Sequence, residues 1–240
     1  IVTGILVALC VRLYARLPHD PVLVLLVLAP SGLLFFAFDP NGSMRKEIFG
    51  FIALAIVLQA VIAGTMRGAI AWASSGTILF VAMLFVHEGI IFTWPTFAVA
   101  LILLSLRWPA GKHTFYALVL LSGSLGCASI LVLNQLPVPD PLIICAAAKE
   151  TVCGHPYTWL NRGSLDGIAY VISRRDWLDL PIIFLVFAVS LCVFIGVKVI
   201  DHPKWVKRCI VTAAVVGVLP LFILGFDGGR WIQMAVFPLS

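Results

Sequence analysis

Charge is what this sequence has least of. Its 240 residues hold 16 Lys and Arg and 11 Asp and Glu, so that 11% are charged, whereas soluble domains carry about a quarter. A water-soluble globular domain is excluded on that ground. Internal repeats, low-complexity runs and a soluble domain are also missing. So is any metal-ligand spacing: a zinc-protease helix needs a second His four residues after the first, and four residues after His87 stands Ile91. No cluster of carboxylates, His or Cys has the spacing of a metal site, and no metal or cofactor is expected. Residues 1–11 lack a basic leader and a small-residue cleavage site, so they read as the end of a span rather than a signal peptide.

What is present is apolar. The hydrophobic share is 62% and the mean hydropathy +1.10, which describes a series of membrane spans with the bilayer as solvent. The net charge of +5 would suggest nucleic acid in a soluble protein. Here the basic residues punctuate apolar segments, where such charge sets topology, and no nucleic-acid partner is expected. The chain opens inside one apolar run and breaks off as another begins at Trp231, so it reads as part of a longer protein.

A spanning helix takes roughly 17–25 apolar residues. On that measure spans are expected near 21–38, 48–66, 75–92, 114–134, 181–199 and 209–226, with partial spans at both ends. The stretch Trp94 to Leu106 is short, about 20 Å of helix, and reads either as a tilted span or as a re-entrant hairpin. Counted as a span, it completes an all-α transmembrane bundle of about eight to nine spans forming one domain over 1–240. It also puts Arg12, Arg16, Arg67, Arg107, Lys112, Lys198, Lys204, Lys207 and Arg208 on one side, which the positive-inside rule makes cytoplasmic.

The opposite side then receives the segments 39–47, 87–95 and 227–230 and the long loop 135–180. That loop opens with Pro137, Pro139, Asp140 and Pro141, which resist helix. It continues into an expected interfacial helix over 157–180 that ends near Arg174 and Arg175. It also holds Cys145 and Cys153, eight residues apart, a reasonable disulfide in an oxidising compartment. The other four cysteines, Cys10, Cys127, Cys192 and Cys209, lie in or at the end of apolar runs and read as inert packing residues.

Three short segments could carry chemistry. The first is Asp39-Pro40-Asn41-Gly42-Ser43-Met44-Arg45-Lys46-Glu47, a turn leading into a helix. Its Arg45 and Lys46 sit against the helix dipole and on the side that the positive-inside rule avoids, unless they are snorkelling side chains with Glu47 as cap. The second is His87-Glu88, inside the apolar run from Ile78 to Trp94, where ionisable groups are expensive and mark function by default; a helix-packing ion pair is the structural alternative. The third, Phe226-Asp227-Gly228-Gly229-Arg230-Trp231, brings Asp227 and Arg230 to the same face, or is a plain turn with a Trp anchor. The topology was set by the basic loops alone, and it gathers all these residues at one mouth. Arginine suits phosphate or pyrophosphate, and a His or carboxylate in a half-desolvated mouth suits proton transfer.

Taken together, Ala29-Pro30, Arg45-Lys46-Glu47, His87-Glu88 with Pro95, the Cys145/Cys153 loop and Asp227-Gly228-Gly229-Arg230-Trp231 resemble bacterial inner-membrane proteins of polysaccharide gene clusters. Those are similar to O-antigen and exopolysaccharide polymerases and ligases. The resemblance implies a multi-pass inner-membrane glycosyltransferase working at the periplasmic face on undecaprenyl-pyrophosphate-linked glycans. Its partners would be that glycan, membrane lipids and other polysaccharide-assembly proteins. In it, His87, Glu88 or Asp227 would take the acceptor proton, and Arg45, Lys46, Glu47, Arg230, Arg174 and Arg175 would contact substrate. The competing readings are a polysaccharide transporter or flippase, a membrane O-acyltransferase centred on His87, and a non-catalytic assembly subunit. A transporter should show polar residues deep in several spans and repeat symmetry, and the spans here are almost uncharged.

Overall fold

The Ser, Thr and Gly residues scattered through the apolar runs decide how closely these helices approach. The computed structural model describes residues 2–16, 48–135 and 204–224, together with Pro181, Leu185 and Ala188. All regular structure among them is helical: α1 (Val2–Tyr14), α2 (Ile48–Leu58), α3 (Met66–Leu84), α4 (Trp94–Arg107), α5 (Lys112–Gln135) and α6 (Lys204–Leu224). Short 3-10 turns occupy Gln59–Ile62, Glu88–Thr93 and Pro109–Gly111.

Local chemistry sets the ends. Thr65 is extended and its hydroxyl accepts the Gly68 N–H at 3.1 Å, capping α3. At the other end of α3 the Val86 and His87 N–H groups both fold back on the Met83 carbonyl, at 3.1 and 3.0 Å. His87 then turns extended and its carbonyl accepts the Ile90 N–H at 3.1 Å, opening the second 3-10 turn. Pro95 lies in the first turn of α4, where its missing N–H is no loss.

The four helices α2 to α5 run alternately up and down. Gly50 near the start of α2 meets Ile90 and Thr93, and Ala53 and Val57 further along meet Gly76 in the middle of α3. Leu84 at the end of α3 meets Gly126 far along α5, while Gly111 at the start of α5 meets Met66 and Ile70 at the start of α3. So α3 and α5 run the same way, and α2 and α4 run against them. Between these helices lies a core of Ala53, Val57, Ala73, Phe80, Phe97, Leu101 and their neighbours. Phe80 stacks on Phe97 with ring centroids 4.4 Å apart. α1 packs on α2, and α6 on α4.

Most of the buried hydroxyls close on the backbone of their own turns. The buried hydroxyls of Thr77, Thr93, Ser105, Ser122 and Ser129 each donate to a backbone carbonyl three or four residues earlier, at 2.6 to 3.0 Å. A helix in lipid needs that, having no water to satisfy its polar groups. Outward, the surface is apolar, with Ile78 70% exposed and Leu120 73% exposed. Met66–Leu84 and Ile90–Arg107 are long and apolar enough to cross a membrane, and they point to membrane association.

Several expectations change. Against eight to nine expected spans, two helices among the described residues meet the length and apolarity of a span. The span expected at 75–92 lies instead at 66–84, because Thr65 caps the helix early and the turn at His87 ends it. The 94–106 stretch is one uninterrupted helix, lengthened by the preceding 3-10 turn, not a re-entrant hairpin. Cys127 and Cys209 are exposed rather than packed, and Cys10 is half-buried; all three are free. The loop 135–180 beyond Gln135, with Cys145, Cys153, Arg174 and Arg175, and also Cys192, lie outside the described residues.

Candidate functional site

His87 and Glu88 sit where the chain turns from α3 into α4. The His87 side chain is half-buried, at the position just before the 3-10 turn. Among the described residues Glu88 is the one side-chain carboxylate, against eight Lys and Arg. An ionisable pair can stand in an otherwise uncharged stretch here because the pair belongs to the turn and not to the middle of a helix.

Glycines from three helices hold the segment after the pair. Gly50 of α2 lies against Ile90 and Thr93, Gly126 of α5 against Ile91, Gly123 of α5 against the Trp94 ring, and Gly217 of α6 against the Phe92 carbonyl and Pro95. A Cβ at Gly123 would come within 2.8 Å of the Trp94 ring, and one at Gly217 would meet the Phe92 carbonyl more closely still. The Trp94 indole N–H donates to the Ser122 hydroxyl at 3.1 Å, tying the start of α4 to α5. Ile90 is fully buried and Thr93 nearly so. The turn is thus seated in a socket whose walls are backbone, which fixes where the His87–Glu88 backbone emerges.

The opposite end of the bundle is basic. Arg12 lies over the Trp72 ring, 5.2 Å from its centroid. Arg67 follows Met66, which touches Gly111, and Lys112 follows Gly111 itself. Arg107 ends α4 just before the turn that contains Gly111. Four of the cations on which the topology was built, Arg12, Arg67, Arg107 and Lys112, therefore gather at the end of the bundle remote from His87 and Glu88, while Lys198 lies outside the described residues.

Of the residues singled out in the sequence, His87 and the backbone of Glu88 are described. Arg45, Lys46, Glu47, Asp227, Arg230, Arg174, Arg175, Cys145 and Cys153 lie outside the described residues. The glycine socket was not foreseen, although four glycines within apolar helices were its signal, since each weakens a helix by about 1 kcal/mol and so asks for a packing reason. No group of three His, Cys, Asp or Glu that could hold a metal occurs among the described residues. Chemically, His87 and Glu88 are residue types suited to proton transfer, and of the two only the His87 side chain is described. Comparison of the chain with family models, with curated proteins and with solved structures finds no match.

Proposed function

We propose that the chain is a multi-pass membrane glycosyltransferase of about eight to nine spans, with its reaction site at the His87–Glu88 turn. It transfers an oligosaccharide from a lipid-linked pyrophosphate to an acceptor hydroxyl at the non-cytoplasmic face. The observation that carries this reading is that His87 and Glu88 directly precede a segment, Ile90 to Pro95, packed against glycines of three helices, at the bundle end remote from Arg12, Arg67, Arg107 and Lys112. The positive-inside rule assigns the remote end to the non-cytoplasmic side.

Covalent continuity supports the same grouping. Glu47 is one peptide from Ile48, in the first turn of α2 beside Ile90 and Thr93. Asp227 is three residues beyond Leu224, the end of α6, whose Gly217 lies against Phe92 and Pro95. In the proposed reaction the acceptor oxygen bonds to the anomeric carbon as the bond from that carbon to the pyrophosphate oxygen breaks. The acceptor proton passes to Glu88 or His87, and Arg45, Lys46 and Arg230 hold the lipid pyrophosphate that leaves. Arginine and lysine fit that role because they match phosphate geometry and charge. A transporter is less favoured, because residues 48–66, 68–86 and 89–106 contain no charged side chain to line a path through the bundle.

The test is surface-glycan chain length in cells carrying Glu88→Gln, Arg45→Ala or Arg230→Ala, with the membrane level of each variant measured alongside. Loss of long chains with single repeat units retained, at normal protein level, is the expected result. Unchanged glycan in all three variants overturns the enzymatic reading.

A further inference from the structure

Among the described residues the basic end carries its charge without acidic partners, since the one acidic residue, Glu88, lies at the other end. Arg67, Arg107 and Lys112 are exposed there, and a group of exposed cations calls for an anionic, acceptor-rich ligand. Arg67, Arg107 and Lys112 come from three different helices, and the Pro109–Gly111 turn brings those helix ends together against Met66 and Ile70.

The surface above the cations is apolar, and that identifies the form the anion takes. On α5 the exposed residues Lys112, Tyr116 (42%) and Leu120 (73%) follow at four-residue spacing, so that one stripe runs from cation to aromatic to aliphatic. On α3 the exposed positions Arg67, Ala71, Ser75 and Ile78 (70%) form a second stripe that again begins with a cation. A free phosphate would use only the foot of these stripes, whereas a phospholipid uses all of each. We infer that this end of the bundle binds an anionic phospholipid, its headgroup phosphate at Arg67, Arg107 and Lys112 and an acyl chain along Tyr116 and Leu120.

The experiment titrates dioleoylphosphatidylglycerol into the full chain held in a neutral maltoside micelle, with bound lipid counted by native mass spectrometry. Dioleoylphosphatidylcholine and inorganic phosphate serve as comparison probes. Basic residues near an anionic membrane surface contribute about 1 kcal/mol each, about a fivefold change in affinity. The triple variant R67Q/R107Q/K112Q is therefore expected to bind the anionic lipid roughly a hundredfold more weakly. The charge-retaining variant R67K/R107K/K112R keeps binding within a few-fold of the parent and separates loss of charge from loss of fold. Equal retention of phosphatidylcholine, unchanged binding by the neutralised variant, or displacement of the lipid by millimolar phosphate overturns the inference.

Discussion

At Gly76 the crossing of α2 and α3 has no room for a methyl group. A Cβ there would lie 2.6 Å from Val57 Cγ2, 2.7 Å from the Ala53 carbonyl oxygen and 3.0 Å from the Val57 nitrogen. Carbon atoms rest about 3.5–4.0 Å apart, so Gly76→Ala must part the two helices by about 1 Å. Two of the three obstacles are backbone atoms, which no rotamer change removes, and the displaced helix carries the core residues Ala53 and Val57. Overpacking of that kind costs about 1–3 kcal/mol, and with rigid obstacles the upper end applies. Alanine returns about 1 kcal/mol of helix propensity, which leaves a net loss of about 2 kcal/mol. For a chain of this length that lowers Tm by roughly 4–8 °C. Gly4, with nothing within 4 Å of its Cβ position, is the matched control: Gly4→Ala gains propensity alone and leaves Tm unchanged or higher. Thermal unfolding of both variants in the same detergent reads the difference. A Gly76→Ala protein as stable as the Gly4→Ala protein refutes the close crossing.

Ser122→Ala is expected to lower stability by about 1 kcal/mol, because it removes the acceptor of the half-buried Trp94 indole N–H. Trp94→Phe removes donor and bond together, leaves the Ser122 hydroxyl on the Val119 carbonyl, and so isolates the loss of indole packing; chemical denaturation of both variants separates the two effects. Gln59→Leu is expected to be neutral or stabilising, since Gln59 is fully buried with an unpartnered Oε1, and its amide donates to the Leu9 and Ala55 carbonyls of helical turns; a fall in Tm beyond a few degrees contradicts this. Gly217→Ala pushes on the Phe92 carbonyl and shifts the segment that supports His87 and Glu88. Misplacement by about 1 Å can reduce catalysis on the order of a hundredfold, so long-chain glycan should fall while Gly4→Ala leaves it intact.

Much of the architecture was legible because hydropathy and charge are coarse signals. The basic punctuation at Arg67, Arg107 and Lys112 located one end of the bundle, and the alternation of α2 to α5 follows it. The start of α3 was harder, since Ala69, Ala71, Ala73, Ser74, Ser75 and Gly76 lower the apolar signal over the turns where α3 packs most closely on α2. Small residues serve close approach in membrane helices, so a hydropathy window slides past them and places the span late. His87 and Glu88 were conspicuous as ionisable groups in an apolar run, yet the run is two helices joined by a turn. The socket could not be read, because Gly50, Gly123, Gly126 and Gly217 are distant in sequence and meet at one segment only through tertiary packing.

The proposed reaction needs His87 and Glu88 at that turn, and the most direct measurement of it is transfer by the purified protein in lipid vesicles. A lipid-linked oligosaccharide pyrophosphate is supplied with an acceptor glycan, and released lipid pyrophosphate and lengthened glycan are followed together. The parent protein is expected to form both in equal amounts, with Glu88→Gln or His87→Ala slower by two orders of magnitude or more. Equal rates for the parent and both variants, or no product from the parent in vesicles where the protein is folded, would contradict the account.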